Sequence, residues 1–201
     1  MNLILMSSGS FFTEKLPSFI KDLDKLKTAY INTASKQVPD DSYAKRHKQR
    51  MNDLNFNFEE IDITGKNEEE LDKLLRNKQL VYVEGGNSFY LLKQIRESGF
   101  DKVIRKLLKI GVIYAGASAG TYVACPTIET EPWTNPNKFN RFGITDFTAM
   151  NLFPSLIKAH YTLDQEKTLK PYIEKSKYKV ELLTDDEAIL VKDDEVRRIK
   201  T

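Results

Sequence analysis

Residues 112–120 read V-I-Y-A-G-A-S-A-G, an apolar run followed by a turn of small residues. The apolar run Val112 to Ala115 predicts a buried strand, and the residues T-Y-V-A after Gly120 are compatible with a helix. Between them, Ser118 is flanked only by Gly and Ala in a G-x-S-x-G pattern. A sharp strand-to-helix turn requires such small residues, because larger side chains would collide with neighbouring strands. The segment therefore predicts an α/β fold in which Ser118 is a candidate nucleophile. The alternative is a tight turn in which the serine only caps the following helix.

Strand-like and helix-like segments alternate through the residues that precede this stretch. The alternation is typical of a parallel sheet with helices packed on both of its faces. The predicted strands are 2–6, 28–33, 56–63 and 79–83, and the predicted helices are 14–27, 41–54, 67–75, 88–97 and 101–110. We therefore expect a doubly wound α/β fold with a mainly parallel sheet, formed by a single domain over residues 1–201.

The pattern changes after the serine turn. Residues 126–145 hold three prolines, three asparagines and several aromatics without a sustained period, which predicts a long irregular loop. Long loops in compact domains are usually functional, so we expect residues 129–145 to form part of the wall of the substrate pocket, with Trp133 or Phe139 near the site. Beyond it we predict a strand at 156–159, a helix at 163–175 and antiparallel strands at 179–183, 188–191 and 196–199.

A second strand-to-helix junction lies at Gly85-Gly86-Asn87, directly after the predicted strand that ends at Val83. Two glycines before a helix allow backbone N–H groups to turn toward an anion, which is what a developing oxyanion needs. The Gly86 and Ala119 N–H groups are therefore candidate oxyanion donors. Taken alone, a G-G-N sequence is more often an ordinary turn.

A serine nucleophile needs a neighbouring base, and the chain has only two histidines. His47 lies in K-R-H-K-Q-R, which has no acid to orient an imidazole and predicts a solvated helix face. His160 follows a predicted strand, where catalytic residues of open α/β sheets are found. The sequence therefore favours His160 as the general base.

An acid that orients the histidine is sought among Asp185, Asp186 and Glu187. Three consecutive acids usually form a solvated hairpin tip, but one of them can serve as the partner of His160. Strand alternation places Asp185 and Glu187 on one face and Asp186 on the other. The residues alone leave the choice among the three open.

Composition excludes several classes of function. The 31 Lys and Arg against 29 Asp and Glu give a net charge of +2, too balanced for a protein that coats nucleic acid or an anionic membrane. The apolar runs are far shorter than the roughly 20 residues that span a bilayer, and the N-terminus lacks the pattern of a secretory signal. The single cysteine, Cys125, is consistent with a reducing compartment and excludes a cysteine-rich metal site. We expect a cytoplasmic protein without a metal, nucleic-acid or membrane partner.

Several motifs together resemble those of the peptidase E family of serine peptidases, family S51. They occur in the family's order and at similar spacing: V-Y-V-E-G-G-N-S-F-Y-L-L-K-Q (81–94), Y-A-G-A-S-A-G (114–120), A-C-P-T-I (124–128), A-M-N-L-F-P (149–154) and A-H-Y (159–161). The resemblance extends from the first strand to the end of the chain. Two departures are Glu84, where members often carry a third glycine, and the loop acids Glu129 and Glu131, which have no clear match.

This resemblance implies a fold similar to class I glutamine amidotransferases, with serine in place of their cysteine. It also implies hydrolysis of short peptides, as by a dipeptidase, without a cofactor. The implied roles are nucleophile for Ser118, general base for His160, orienting acid for Asp185, oxyanion donors for Gly86 and Ala119, and substrate contacts for Asn87 and Trp133. We expect a monomer or a homodimer. The competing hypothesis is a binding or regulatory module that keeps the fold without turnover.

Overall fold

The computed structural model describes residues 2–134, 140–193 and 195–200, which form nine strands and seven α-helices. The strands are β1 Leu3–Met6, β2 Thr28–Ile31, β3 Phe58–Ile61, β4 Leu80–Val83, β5 Ile113–Ala117, β6 Leu156–Lys158, β7 Val180–Leu182, β8 Glu187–Lys192 and β9 Glu195–Lys200. The α-helices are α1 Ser10–Glu14, α2 Ser42–Asp53, α3 Glu68–Leu75, α4 Ser88–Ser98, α5 Phe100–Lys109, α6 Ala119–Tyr122 and α7 Glu166–Lys175. Among the described residues, no helix combines the length and the hydropathy that a membrane-spanning helix needs.

Seven strands form the central sheet in the order β3-β2-β4-β5-β1-β8-β9. The first five are mutually parallel, and β8 and β9 continue the sheet as an antiparallel hairpin. The predicted mainly parallel α/β fold is therefore confirmed.

The two faces of the sheet carry separate apolar cores because successive strand residues point to opposite sides. Along β1, Leu3 and Leu5 pack into the core covered by α3, α4 and α5, whereas Ile4 and Met6 pack against α1 and α2. Burial of each such side chain stabilises the fold by roughly 1.5–3 kcal/mol. Helices therefore cover both faces, as the alternating sequence pattern predicts.

The start of α3 shows how local sequence sets a boundary. The Asn67 side chain accepts a hydrogen bond from the Glu70 N–H at 3.0 Å, and the Glu70 carboxylate accepts one from the Asn67 N–H at 2.9 Å. This reciprocal capping box satisfies backbone donors that the first helical turn leaves unpaired. The predicted helix at 67–75 is confirmed to within one residue.

The predicted helix at 14–27 is wrong. The structure has α1, then two short 3-10 turns, and Asp22 adopts a left-handed φ of 57°. Pro17 lacks an N–H, and its ring clashes with the carbonyl four residues earlier, so an α-helix cannot continue through it. The apolar spacing that predicted the helix still buries Leu16 and Leu23, but from successive turns rather than from one helix face.

The predicted antiparallel pairing of strand 179–183 is also wrong. The corresponding strand β7 pairs in parallel with β6 in a separate two-stranded sheet. Helix α7 joins these two strands, and a helical crossover brings the second strand back in the direction of the first. The predicted β8–β9 hairpin is confirmed.

Candidate active site

Four neighbouring strands bring the candidate site residues to one edge of the sheet. Strands β4, β5 and β1 are adjacent and parallel, so their carboxyl ends lie side by side and are followed by Gly85, Ser118 and Ser7, respectively. Strand β8 runs antiparallel to β1, so Asp185, which precedes β8, also lies at this edge. In α/β sheets ligands bind at the carboxyl edge.

Ser118 occupies the turn between β5 and α6 in a backbone conformation that side-chain-bearing residues rarely adopt, with φ 48° and ψ −106°. Its backbone N–H is held by a hydrogen bond to the Met6 carbonyl at 3.1 Å. The side chain makes no capping hydrogen bond to α6, so the alternative of a simple helix cap is not observed. A strained position of this kind is typical of a functional site.

The glycines of the G-x-S-x-G pattern permit close packing of the turn. A Cβ atom on Gly120 would lie 2.2 Å from the Val83 carbonyl oxygen, and one on Gly116 would lie 2.5 Å from the Gly120 carbonyl oxygen. Both contacts are shorter than any real Cβ contact with backbone. The two glycines therefore let α6 lie directly against β4 and β5.

His160 links the serine to an acid. Its Nε2 lies 3.0 Å from Ser118 Oγ, and its Nδ1 lies 2.6 Å from Asp185 Oδ1. The structure thus brings together the predicted nucleophile, base and acid at hydrogen-bonding distance. This is the geometry that a serine nucleophile, its base and an orienting acid require.

Ser7 supports both partners of this arrangement, although sequence reasoning missed it. Its hydroxyl donates to Asp185 Oδ1 at 2.8 Å and accepts the backbone N–H of His160 at 2.7 Å. Ser7 is fully buried at the carboxyl end of β1. The available signal was its place in the polar turn Ser7-Ser8-Gly9-Ser10, directly after an apolar strand.

The three candidate acids have different surroundings. The hydrogen bond from His160 holds the pKa of Asp185 below its usual range, against the effect of partial burial, so this residue is a carboxylate at neutral pH. Glu187 instead accepts hydrogen bonds from Thr184 and from Arg198. Asp185 is thus the one of the three that bonds to His160.

The loop acids do not contact His160. Glu129 accepts a hydrogen bond from the Thr127 hydroxyl, and Glu131 accepts one from the Ser88 hydroxyl. Burial raises the pKa of Glu131 above its usual range. In the described residues, no group of three or more His, Cys, Asp or Glu side chains is arranged to hold a metal ion.

The two candidate oxyanion donors flank the serine. A Cβ atom on Gly85 would lie 3.3 Å from Ser118 Cβ, so the glycine turn packs against the nucleophile. Gly86 has φ +142°, and a Cβ there would lie 2.3 Å from the Ala34 carbonyl oxygen, so only glycine fits. Within the described chain, the N–H groups of Gly86 and Ala119 donate to no protein acceptor. Both groups therefore remain available for a bound oxyanion.

An open cavity of about 520 Å³ lies over these groups. Its lining comes from the residues that follow β1, β4, β5 and β6, from the start of α2 and from the segment before α2: Ser8, Gly9, Val38, Pro39, Asp40, Tyr43, Glu84, Gly85, Gly86, Ser118 and His160. Asn87 and Trp133 are not among these residues. Asn87 is buried and its side chain caps α4, and the buried Trp133 stacks on Tyr172 with ring centroids 5.5 Å apart.

The irregular loop reaches the cavity wall from outside. Arg141 donates hydrogen bonds to the backbone carbonyl and side chain of Gln37, next to the lining residue Val38. None of the described residues of 126–145 lines the cavity itself. Phe139 lies outside the described residues.

The prediction that His47 lies on a solvated helix face is wrong. The residue is buried, and its Nδ1 lies 2.6 Å from Glu84 Oε2. The acid that pairs with His47 is on β4's carboxyl end, 37 residues away in the chain, so the local sequence K-R-H-K-Q-R gave no sign of it. His47 is nevertheless not bonded to Ser118.

Known proteins resemble the chain along almost its whole length. The sequence model of peptidase family S51 matches residues 3–199. An uncharacterized peptidase of Listeria innocua is 30% identical over 97% of this chain and 94% of its own. Peptidase E of Escherichia coli is 44% identical over 44% of this chain and 36% of its own. The crystal structure of a candidate peptidase E protein from Listeria monocytogenes superposes with a TM-score of 0.85 at 29% identity, covering 100% of this chain and 98% of the other. The chain therefore belongs to peptidase family S51, a family of serine peptidases.

Proposed function

We propose that the protein hydrolyses short peptides through an acyl-enzyme formed on Ser118, with His160 as general base and Asp185 as the acid that orients it. The observation that carries the proposal is the chain of contacts from Ser118 Oγ to His160 Nε2 at 3.0 Å and from His160 Nδ1 to Asp185 Oδ1 at 2.6 Å. A serine hydroxyl is a weak nucleophile until a positioned base accepts its proton.

In the first half of the reaction, His160 Nε2 accepts the hydroxyl proton as Ser118 Oγ attacks the peptide carbonyl carbon. The carbonyl oxygen becomes an oxyanion, which the N–H groups of Gly86 and Ala119 stabilise. The C–N bond then breaks, and the leaving amine takes the proton from His160. The acyl group remains as an ester on Ser118.

In the second half, His160 removes a proton from a water molecule, which attacks the ester carbonyl. Collapse of the second tetrahedral intermediate releases the acid product, and Ser118 Oγ recovers its proton from His160. Asp185 remains a carboxylate throughout and stabilises the imidazolium, as the lowered pKa of this residue allows.

The size of the cavity favours short substrates. A volume of about 520 Å³ is within the range of small-molecule sites, roughly 300–1,000 Å³, and accommodates only a few residues. The substrate-binding roles expected for Asn87 and Trp133 are replaced in this proposal by cavity-lining residues, because neither side chain lines the cavity.

A dipeptide library assayed with the wild type and Ser118→Ala tests the proposal. We expect turnover to fall on the order of 10³- to 10⁶-fold in the variant, and reaction with a fluorophosphonate probe to disappear. Ser18→Ala, which removes an exposed hydroxyl that donates to the Lys15 carbonyl, is the matched control and should behave as wild type.

Retention of most activity by Ser118→Ala would exclude Ser118 as the nucleophile. Wild-type protein that binds peptides but neither hydrolyses them nor reacts with the probe would instead support the non-catalytic module.

A further inference from the structure

A fully buried carboxylate precedes the candidate oxyanion donor. Glu84 lies between β4 and Gly85, and its Oε1 accepts the Gly85 N–H at 2.7 Å. Its Oε2 lies 2.6 Å from His47 Nδ1 and accepts the Tyr30 hydroxyl at 2.8 Å. Burial alone would raise the pKa of Glu84, but the hydrogen bonds from His47, Gly85 and Tyr30 outweigh it and lower the pKa below its usual range. Glu84 is therefore a buried, ionised acceptor with its donors in place.

Tyr43 restrains the carbonyl group of Gly85. Its hydroxyl donates to the Gly85 carbonyl oxygen at 3.2 Å. The peptide bond between Gly85 and Gly86 is planar and trans, so this carbonyl and the Gly86 N–H point in opposite directions in one plane. Fixing the direction of the Gly85 carbonyl therefore fixes the direction of the Gly86 N–H.

Residues 84–87, here named the oxyanion loop, need such restraints. Two consecutive glycines have more backbone freedom than any other pair of residues. The backbone N–H groups of Glu84, Gly85 and Asn87 donate to Ile31, to the Glu84 side chain and to Ala34, respectively. Within this loop, the Gly86 N–H is the one backbone donor without an acceptor in the described chain. Hydrogen bonds therefore restrain each peptide group of the loop, and the Gly86 N–H is the donor that they leave unpaired.

We propose that Tyr43 and Glu84 are positioning residues that hold the oxyanion loop so that the Gly86 N–H faces the acyl oxygen of the substrate. The inference rests on the proposed function, because it assigns these residues a part in the same reaction. His47 and Tyr30 act one step further away, since they hold the Glu84 carboxylate. The buried group of Glu84, His47 and Tyr30 thereby has a part in the proposed reaction, separate from those of the nucleophile, base and acid.

Loss of this positioning should lower kcat rather than raise KM. A tetrahedral intermediate concentrates charge on the acyl oxygen, so a misdirected donor costs more in the transition state than in the bound substrate. Loss of a complete oxyanion donor costs roughly 10²- to 10³-fold. Loss of one hydrogen bond that orients the donor should cost less, about 3- to 10-fold.

Tyr43→Phe tests the proposal because it removes the hydroxyl and keeps the ring. We expect kcat for a dipeptide to fall about 3- to 10-fold with KM changed less than about 2-fold, and fluorophosphonate labelling to slow by the same factor as kcat. Tyr90→Phe is the matched control, since it removes a hydroxyl whose hydrogen-bond partner among the described residues is Thr64 Oγ1 at 3.0 Å. This control should leave kcat, KM and labelling unchanged.

Glu84→Gln provides a second variant with nearly the same shape. It should also lower kcat more than KM, and Tyr43→Phe decides alone if Glu84→Gln does not fold. The positioning role is overturned if Tyr43→Phe matches Tyr90→Phe, or if it raises KM and leaves kcat unchanged. Wild-type protein that neither hydrolyses dipeptides nor labels refutes the proposed function, and the positioning role with it; an active wild type with an unaffected Tyr43→Phe refutes the positioning role alone.

Discussion

Asp185 and Asp186 are adjacent acids with different surroundings, which makes them a direct test of the site. Asp185 lies 2.6 Å from His160 Nδ1, whereas no hydrogen bond or ion pair joins Asp186 to the described chain. Because the acid fixes the tautomer of the imidazole, we expect Asp185→Asn to lower kcat on the order of 10²- to 10⁴-fold. Asp186→Asn should retain wild-type kcat in the same dipeptide assay. Similar losses in both variants would show that charge at the turn, rather than the contact with His160, matters.

The pH dependence of activity follows from the same residues. An imidazolium cannot accept the serine proton, so kcat/KM should fall on the acid side of the profile as the base becomes protonated. The lowered pKa of Asp185 keeps this carboxylate ionised at mildly acidic pH, so Asp185 adds no second loss there. The acid limb of a kcat/KM profile should therefore show the loss of one proton-accepting group. A profile without an acid limb would contradict His160 as the base.

The sequence predicts a functional role for a residue only where its neighbours in the chain form a recognisable pattern. Ser118 was found because its flanking glycines are part of the same turn. His47 was misjudged because Glu84, its partner, is distant in sequence, and Ser7 was missed because a serine in a polar turn is ordinary. A contact between segments that are distant in sequence can be predicted only when the strand order is known, and residue types alone do not specify that order.

Close approach of elements at the serine turn gives a prediction for stability. A Cβ on Gly120 would meet the backbone of β4 at 2.2 Å, whereas one on Gly65 would meet nothing within 4 Å. Gly120→Ala must displace α6 from the sheet, and we expect it to lower the free energy of unfolding by about 2–3 kcal/mol or more. Gly65→Ala should lower it only by the strain of its φ of +70°, about 1 kcal/mol. Urea unfolding of both variants measures the difference, and equal losses would contradict the packing argument.

At the scale of elements, periodicity predicted most strands and helices and failed where backbone chemistry overrides it. The helix at 67–75 was predicted from its cap and its acidic first turn, both of which act locally. The segment 14–27 has the right apolar spacing for a helix, but Pro17 interrupts the hydrogen-bond ladder. The spacing of apolar residues predicts which of them are buried, but a succession of short turns can bury the same residues as one helix.

The order of the strands in the whole sheet brings the residues of the candidate site together. Strand β1 is inserted between β5 and β8, so Ser7 lies between the nucleophile and the acid. The antiparallel direction of β8 is what places Asp185 at the carboxyl edge rather than at the opposite edge. The alternating sequence pattern predicted a parallel sheet but not this order, because a pattern along the chain does not specify which strands pair.

The charged residues that line the cavity lead to a prediction about substrate preference. The lining residues that the structure describes include Asp40 and Glu84 and no Lys or Arg. A hydrogen bond from the Ser42 backbone N–H lowers the pKa of Asp40, so this carboxylate is charged at neutral pH. Burial first, and then the charges of Glu84, Asp41 and Asp40, raise the pKa of the Tyr43 hydroxyl, as expected in a negative field. The exposed Asp40 carboxylate would therefore disfavour an acidic substrate side chain in this cavity.

We therefore expect kcat/KM for Ala-Leu and Lys-Leu to exceed that for Asp-Leu by about 5- to 10-fold or more, the effect of roughly one unit charge partly screened by solvent. Asp40→Asn should narrow this difference by improving Asp-Leu hydrolysis. Asp53→Asn is the matched control, because Asp53 bonds to Gln49 at the far end of α2 and does not line the cavity. The competing dipeptides are compared at equal concentration and low ionic strength, where exposed charges act most strongly. A preference of the wild type for Asp-Leu, or an Asp40→Asn variant indistinguishable from Asp53→Asn, would show that the field of the cavity does not select the substrate.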